Sequence, residues 1–132
     1  MITQSNVYEI VHDKAVSLGV ERIHHRWDKI KGVLREEAIV IVVSTPIETD
    51  IRWKHATVHV NICVPDCHGE ENSIRLKELE KESSEWIKEG FTGMFDGTRY
   101  DITEDSSGIE RDDALKCSYV NLVLLFEILN VR

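Results

Sequence analysis

The sequence predicts an α+β fold in which a mainly antiparallel sheet packs against two helices. Three observations predict it. Ala38–Val43 is an unbroken apolar run, mostly β-branched, bounded by Glu36-Glu37 and Thr45-Pro46 and too short for a buried helix. Arg52–Val64 alternates apolar and polar residues at strand period. Two other segments, one near the N-terminus and one after Asn72, repeat apolar residues at helical spacing.

The first helix is expected to be capped by Ser5, with Val7, Ile10, Val11, Ala15 and Leu18 inward and Gly19 at a left-handed exit. Residues 20–34 are mixed and charged and read as strand and loop. Ala38–Val43 reads as a strand covered on both faces. In the alternating strand, Ala56, Val58, Val60, Ile62 and Val64 share one face, while His55, Thr57, His59, Asn61 and Cys63 share the other. That pattern predicts a half-covered strand ending at Pro65-Asp66. Asn72 or Ser73 caps the second helix, whose inward stripe is Leu76, Leu79, Ser83, Trp86 and Ile87 and whose stop is Gly90. Thr98–Thr103 reads as a strand and Ser106-Ser107-Gly108 as a turn. Cys117–Leu129 is apolar on both faces, and Tyr119, Val120, Val123, Phe126 and Ile128 favour strand over helix. It closes the chain as a hairpin.

A chain of 132 residues fits a single domain over 1–132. It can bury roughly two-thirds of its unfolded surface. The formal net charge of −8 argues against general affinity for nucleic acid or anionic membrane. No apolar stretch approaches the roughly 18 residues of a membrane span, and the N-terminus has no signal-peptide pattern. The count of 3 Cys is odd, which predicts reduced thiols and a cytoplasmic setting.

The series His55, His59, Cys63, Cys67, His68 invites a metal-site reading. Along a strand, positions four apart share a face but lie about 13 Å from one another. Ligands of one zinc ion must come within roughly 4 Å of each other, so neighbouring members of the strand cannot share a metal. Cys63, Cys67 and His68 could converge only through a sharp turn at Pro65, and a fourth ligand would still be needed. The expectation is a polar strand face with ordinary thiols and no metal. His24-His25 has no nucleophile or carboxylate in a recognisable relation to it, and Cys117 reads as a small buried hydrophobe. No phosphate-cradling glycine loop, nucleophile elbow or acidic calcium loop is present. No catalytic residue and no cofactor is expected.

Charge is unevenly spread. Residues 21–35 carry Arg22, Arg26, Lys29, Lys31 and Arg35 against Glu21 and Asp28, a local +3. Residues 66–90 carry a local −4 and residues 96–113 a local −5. A basic patch on an acidic chain can pair with the acidic surface of another copy, head to tail. It can also bind nucleic acid, with Trp27 and Trp53 (inside Arg52-Trp53-Lys54) stacking on bases. The candidate interface residues are Arg22, Arg26, Lys29, Lys31, Trp53, His59 and Asn61.

Three stretches carry a family resemblance: Glu36-Glu37-Ala38-Ile39-Val40-Ile41, Val58 through Asp66, and Asn72 through Leu79. With the element order, they resemble small prophage-type proteins of the tail-terminator and head–tail joining layout over most of residues 36–129. The resemblance implies a tail-terminator-like fold and a structural, non-enzymatic role without a cofactor. It implies self-association into rings, commonly sixfold, that cap the tail tube and meet the head connector. The protein would then be found in the host cytoplasm and afterwards in the virion. The acidic run Asp96–Asp113 would suit a lumen through which DNA slides. Two alternatives remain: a nucleic-acid-binding module using Arg22, Arg26, Lys29, Lys31, Arg52 and Lys54, and a metal-dependent enzyme using the His/Cys series.

Overall fold

A computed structural model describes residues 2–44, 48–49 and 53–129. The chain is α+β. Two helices, α1 (Gln4–Ala15) and α2 (Ser73–Ile87), pack on a mixed seven-stranded sheet. The strands are β1 (Arg22–His24), β2 (Ala38–Val43), β3 (Glu48–Thr49), β4 (Trp53–Pro65), β5 (Phe91–Phe95), β6 (Thr98–Asp112) and β7 (Cys117–Leu129). Their order is β1-β2-β4-β7-β6-β5, with β3 pairing on β4. Every pairing is antiparallel except β1 with β2.

The centre of the sheet is the β4–β7 pair, in register without a break from Trp53↔Leu129 to Pro65↔Cys117. Alternation sends Ala56, Val58, Val60, Ile62 and Val64 of β4, with Val120, Leu122, Leu124, Phe126 and Ile128 of β7, to the helix-covered face. Ile39 and Ile41 of β2 and Tyr100 and Ile102 of β6 extend that layer. Helix α1 adds Val7, Ile10, Val11 and Ala15; α2 adds Leu76, Leu79 and Ile87. Trp86 joins the helix ends, donating its indole N–H to the Lys14 carbonyl at 3.1 Å and packing on Phe91. Arg75 forks onto Glu37 at 2.6 and 2.9 Å, fixing the start of α2 to the entry of β2. The Glu36-Glu37 and Asn72–Leu79 stretches are therefore joined in space.

The other face is covered at one end only. The parallel β1–β2 pairing needs a crossover, and residues 25–37 supply it. Trp27, Ile30 and Leu34 in this crossover pack over Ala38, Val40, Cys63, Cys117 and Tyr119 as a second small core. Trp27 meets the Tyr119 ring edge-on at 5.0 Å.

Several expectations are corrected. Thr3, not Ser5, caps α1: its hydroxyl accepts from the Asn6 amide while the Asn6 side chain accepts from the Thr3 amide. Of the two caps expected for α2, Asn72 or Ser73, Asn72 is the one that acts, and that expectation stands. Ser106-Ser107-Gly108 is not a turn. Backbone pairing with β7 carries β6 through to Asp112, and a bulge between Glu104 and Ser106 absorbs the irregularity that the sequence shows as turn residues. Phe91–Phe95 adds a strand, so the chain closes as a three-stranded meander rather than a hairpin. The strand expected to be half-covered is buried on both faces from Val60 to Val64, because the crossover lies over its end. Arg52, expected at its start, lies outside the described residues.

Gly93 sits under the ring of Tyr100, and a Cβ there would come within 2.5 Å of the tyrosine oxygen and 2.7 Å of the ring. Tyr100 is itself buried and stacked on Phe126 at 5.3 Å. The ring can yield only by leaving that stack. Gly93→Ala is expected to lower stability by about 1–3 kcal/mol in urea unfolding, as an overpacked contact does.

Candidate functional site

The cations of residues 21–35 gather at the β1 edge. Arg22, His24, Lys29, Lys31 and Arg35 surround a groove of about 420 Å³ whose apolar lining includes Ile30, Val33, Leu34 and Ala38. Glu36 is the one acid at its rim, bound to Arg22 at 2.6 Å. Among the described residues no carboxylate pairs with Lys29, Lys31 or Arg35. Val33 stands 48% exposed amid these cations.

The acids of residues 96–113 lie on the opposite side of the sheet, in β6 and its flanking turns. β5 pairs with β6 only from Thr98 to Ile102. From Thr103 to Asp112 the outer edge of β6 has no strand partner among the described residues. Glu104, Asp105 and Glu110 are exposed on this free half, as is Ile109 at 40%. Arg111 is occupied internally, forking onto Asp66 at 2.7 and 2.8 Å and holding Asp113 at 2.7 Å.

Of the residues named as candidates, Arg22, Lys29 and Lys31 come together. Arg26 lies apart, paired with Asp28 at 3.3 Å and lining a second groove between α1 and β2 with Tyr8 and His25. Trp53 begins β4, two strands away, and its side chain lies outside the described residues. His59 is half-buried on the open part of the second face, where its Nδ1 lies 3.2 Å from Asn121 Oδ1. Asn121 gives its amide N–H to Glu110, so its oxygen is the acceptor and His59 carries the Nδ1 proton. Asn61 is 4% exposed and donates to the Val40 carbonyl at 3.1 Å. It belongs to the interior of the sheet rather than to a surface. Arg35 and His24 complete the basic groove. Arg35 was visible as a basic residue in the same charge run, but its convergence depends on the crossover.

The His/Cys series spreads out. His55, His59 and Cys63 occupy alternate same-face positions of β4, with Thr57 and Asn61 between them, and Cys67 and His68 follow in the turn beyond. Among the described residues no group of three or more His, Cys, Asp or Glu is placed to hold a metal ion. Cys63 and Cys117 are buried side by side at the end of the β4–β7 pair, and Cys67 is exposed. The Cys117 sulfur beside it, and then burial, push the Cys63 thiol well up; Cys117, bonded by that thiol, is lowered.

No family model matches the chain, and no curated protein matches it with significant similarity. No helix among the described residues is long and apolar enough to cross a membrane.

Two predictions follow from these contacts. A thiol reagent should modify Cys67 rapidly in the folded chain and reach Cys63 and Cys117 only on unfolding, which a time course of labelled mass reads directly. The Arg111 fork holds the Asp66 carboxyl below its ordinary range. A carboxyl depressed in the native state stabilises the fold above its unfolded value and loses that contribution as pH falls through the native one. Asp66→Asn should therefore flatten the loss of stability between about pH 5 and pH 2.

Proposed function

We propose that this chain is a non-enzymatic morphogenesis protein of phage or prophage origin, of the tail-terminator or head–tail joining type. It works by ring-like self-association, commonly sixfold, and meets tail-tube and head-connector proteins, first in the host cytoplasm and then in the virion. One observation carries the reading: the basic groove and the acidic free strand occupy opposite edges of one sheet. Surfaces that differ within a subunit and complement each other between subunits make head-to-tail contacts, and these close into rings when the rotation permits. A two-fold dimer would instead bring like edges together. In this arrangement the acidic strand lies at the subunit boundary rather than lining a channel.

A second reading is favoured by the groove itself. Lys29, Lys31 and Arg35, with apolar surface between them, could track a nucleic-acid backbone without sequence preference.

Sedimentation of the full chain with and without duplex DNA separates the two. Concentration-dependent oligomers with no DNA affinity are the expected result. A monomer that binds DNA, with affinity falling steeply as salt rises, would replace the first reading with the second.

A further inference from the structure

The register of the sheet places β1 level with the free half of β6. Arg22 pairs with Ala38, Ala38 with Cys63, Cys63 with Tyr119, and Tyr119 with Glu110. The next row runs Ile23, Ile39, Ile62, Val120, Ile109. The third runs His24, Val40, Asn61, Asn121, Gly108. Each row crosses four strand spacings, about 19 Å, and ends on an outer edge with no strand partner among the described residues. Members of a row share a face, so Arg22 and Glu110 project to the same side and Ile23 and Ile109 to the other. Strand directions settle the sense. β1 runs with β2 and β7, and β6 runs against them.

We infer that β6 of one copy adds antiparallel to β1 of the next, so that residues 108–110 pair with residues 24–22 of a second copy of this chain. A neighbour displaced along the sheet brings these edges together in the correct sense without flipping. The side chains then agree at each level: Glu110 meets Arg22, Ile109 meets Ile23, and Gly108 leaves room beside His24. Ile109, which has Val120 opposite it on the inner side and is 40% exposed, gains a second apolar partner on its open side. Glu110 and Asp112, on the same face as Arg22, approach the basic groove beside β1. The right-handed twist turns each added strand by about 20–25°, so successive copies are rotated relative to one another rather than laid flat.

The pairing rests on the self-association reading, and the test keeps the two apart. Backbone amide NMR shifts of the full chain are followed on dilution for the wild type, Arg22→Glu, Glu110→Arg and the double swap. Both residues are exposed; each swap also removes a surface contact within the chain, Arg22 with Glu36 or Glu110 with Asn121, and the dispersion of the same spectra checks that the fold stays intact. Shifts should concentrate at residues 22–24 and 108–110. Each single swap should weaken association about tenfold by placing like charges opposite, and the double swap should restore it. Ile109→Lys, which leaves both charges in place, should weaken it independently. Association that is indifferent to the swaps, or that the double swap fails to restore, would overturn the pairing and leave self-association standing. Spectra independent of concentration up to the solubility limit would overturn both.

Discussion

The structure depends on the register of β4 against β7. These two strands of 13 residues pair along their whole length, and their alternation assigns each side chain to one face. A slip by one residue would turn Val58, Val60, Ile62, Leu122, Leu124 and Phe126 away from the helices and bring His59, Asn61 and Asn121 under them. The apolar set on one face therefore fixes the register, and the register aligns the rows that run out to both sheet edges. Placement of Arg22 at the level of Glu110 is a consequence of core packing between β4 and β7, which lie between them.

The second constraint is the parallel step from β1 to β2. An antiparallel neighbour could have been joined by a tight turn. A parallel one obliges the chain to travel back the length of the strand, and it does so over the sheet face. That return covers the Cys63–Cys117 end with Trp27, Ile30 and Leu34. It leaves the His55 and His59 end open. It also carries Lys29, Lys31 and Arg35 to the side of Arg22 and His24. Sequence neighbours that look like a diffuse basic stretch become a bounded groove because the crossover is anchored at both ends, by pairing at β1 and by the Leu34 amide on the Leu115 carbonyl.

Local patterns made the core elements legible in the sequence. The apolar run of β2, the alternation of β4 and the helical stripe of α2 each report burial, and burial is decided by periodicity. Three features were not legible. The cap at Thr3 competes with Ser5 on equal chemical terms, and only the reciprocal Asn6 bond decides between them. The continuation of β6 through Ser106-Ser107-Gly108 contradicts its residue types; pairing with a long apolar partner and a bulge override them. The union of Arg22 with Arg35, and the separation of Arg26 from both, depend on crossover geometry that charge counting does not contain. Ile109 did leave a trace, as the one branched apolar residue between Glu104 and Asp113.

An open strand edge is a hazard to a soluble chain, because its unpaired amides and carbonyls accept any other strand. The β1 edge and the free half of β6 are both restrained. β1 offers three residues, and the free half of β6 is bent by the Glu104/Ser106 bulge and lined with Glu104, Asp105, Glu110 and Asp112. Two acidic edges repel, so β6 is protected from pairing with its own kind. Two β1 edges bring together cations and too few residues to align. Between these two stretches the pairing free of both penalties is β6 against β1, where opposite charges meet over three residues. A contact so short stabilises weakly by itself. In the proposed ring it would persist, because breaking any one contact leaves the others in place and the freed edges stay at high effective concentration.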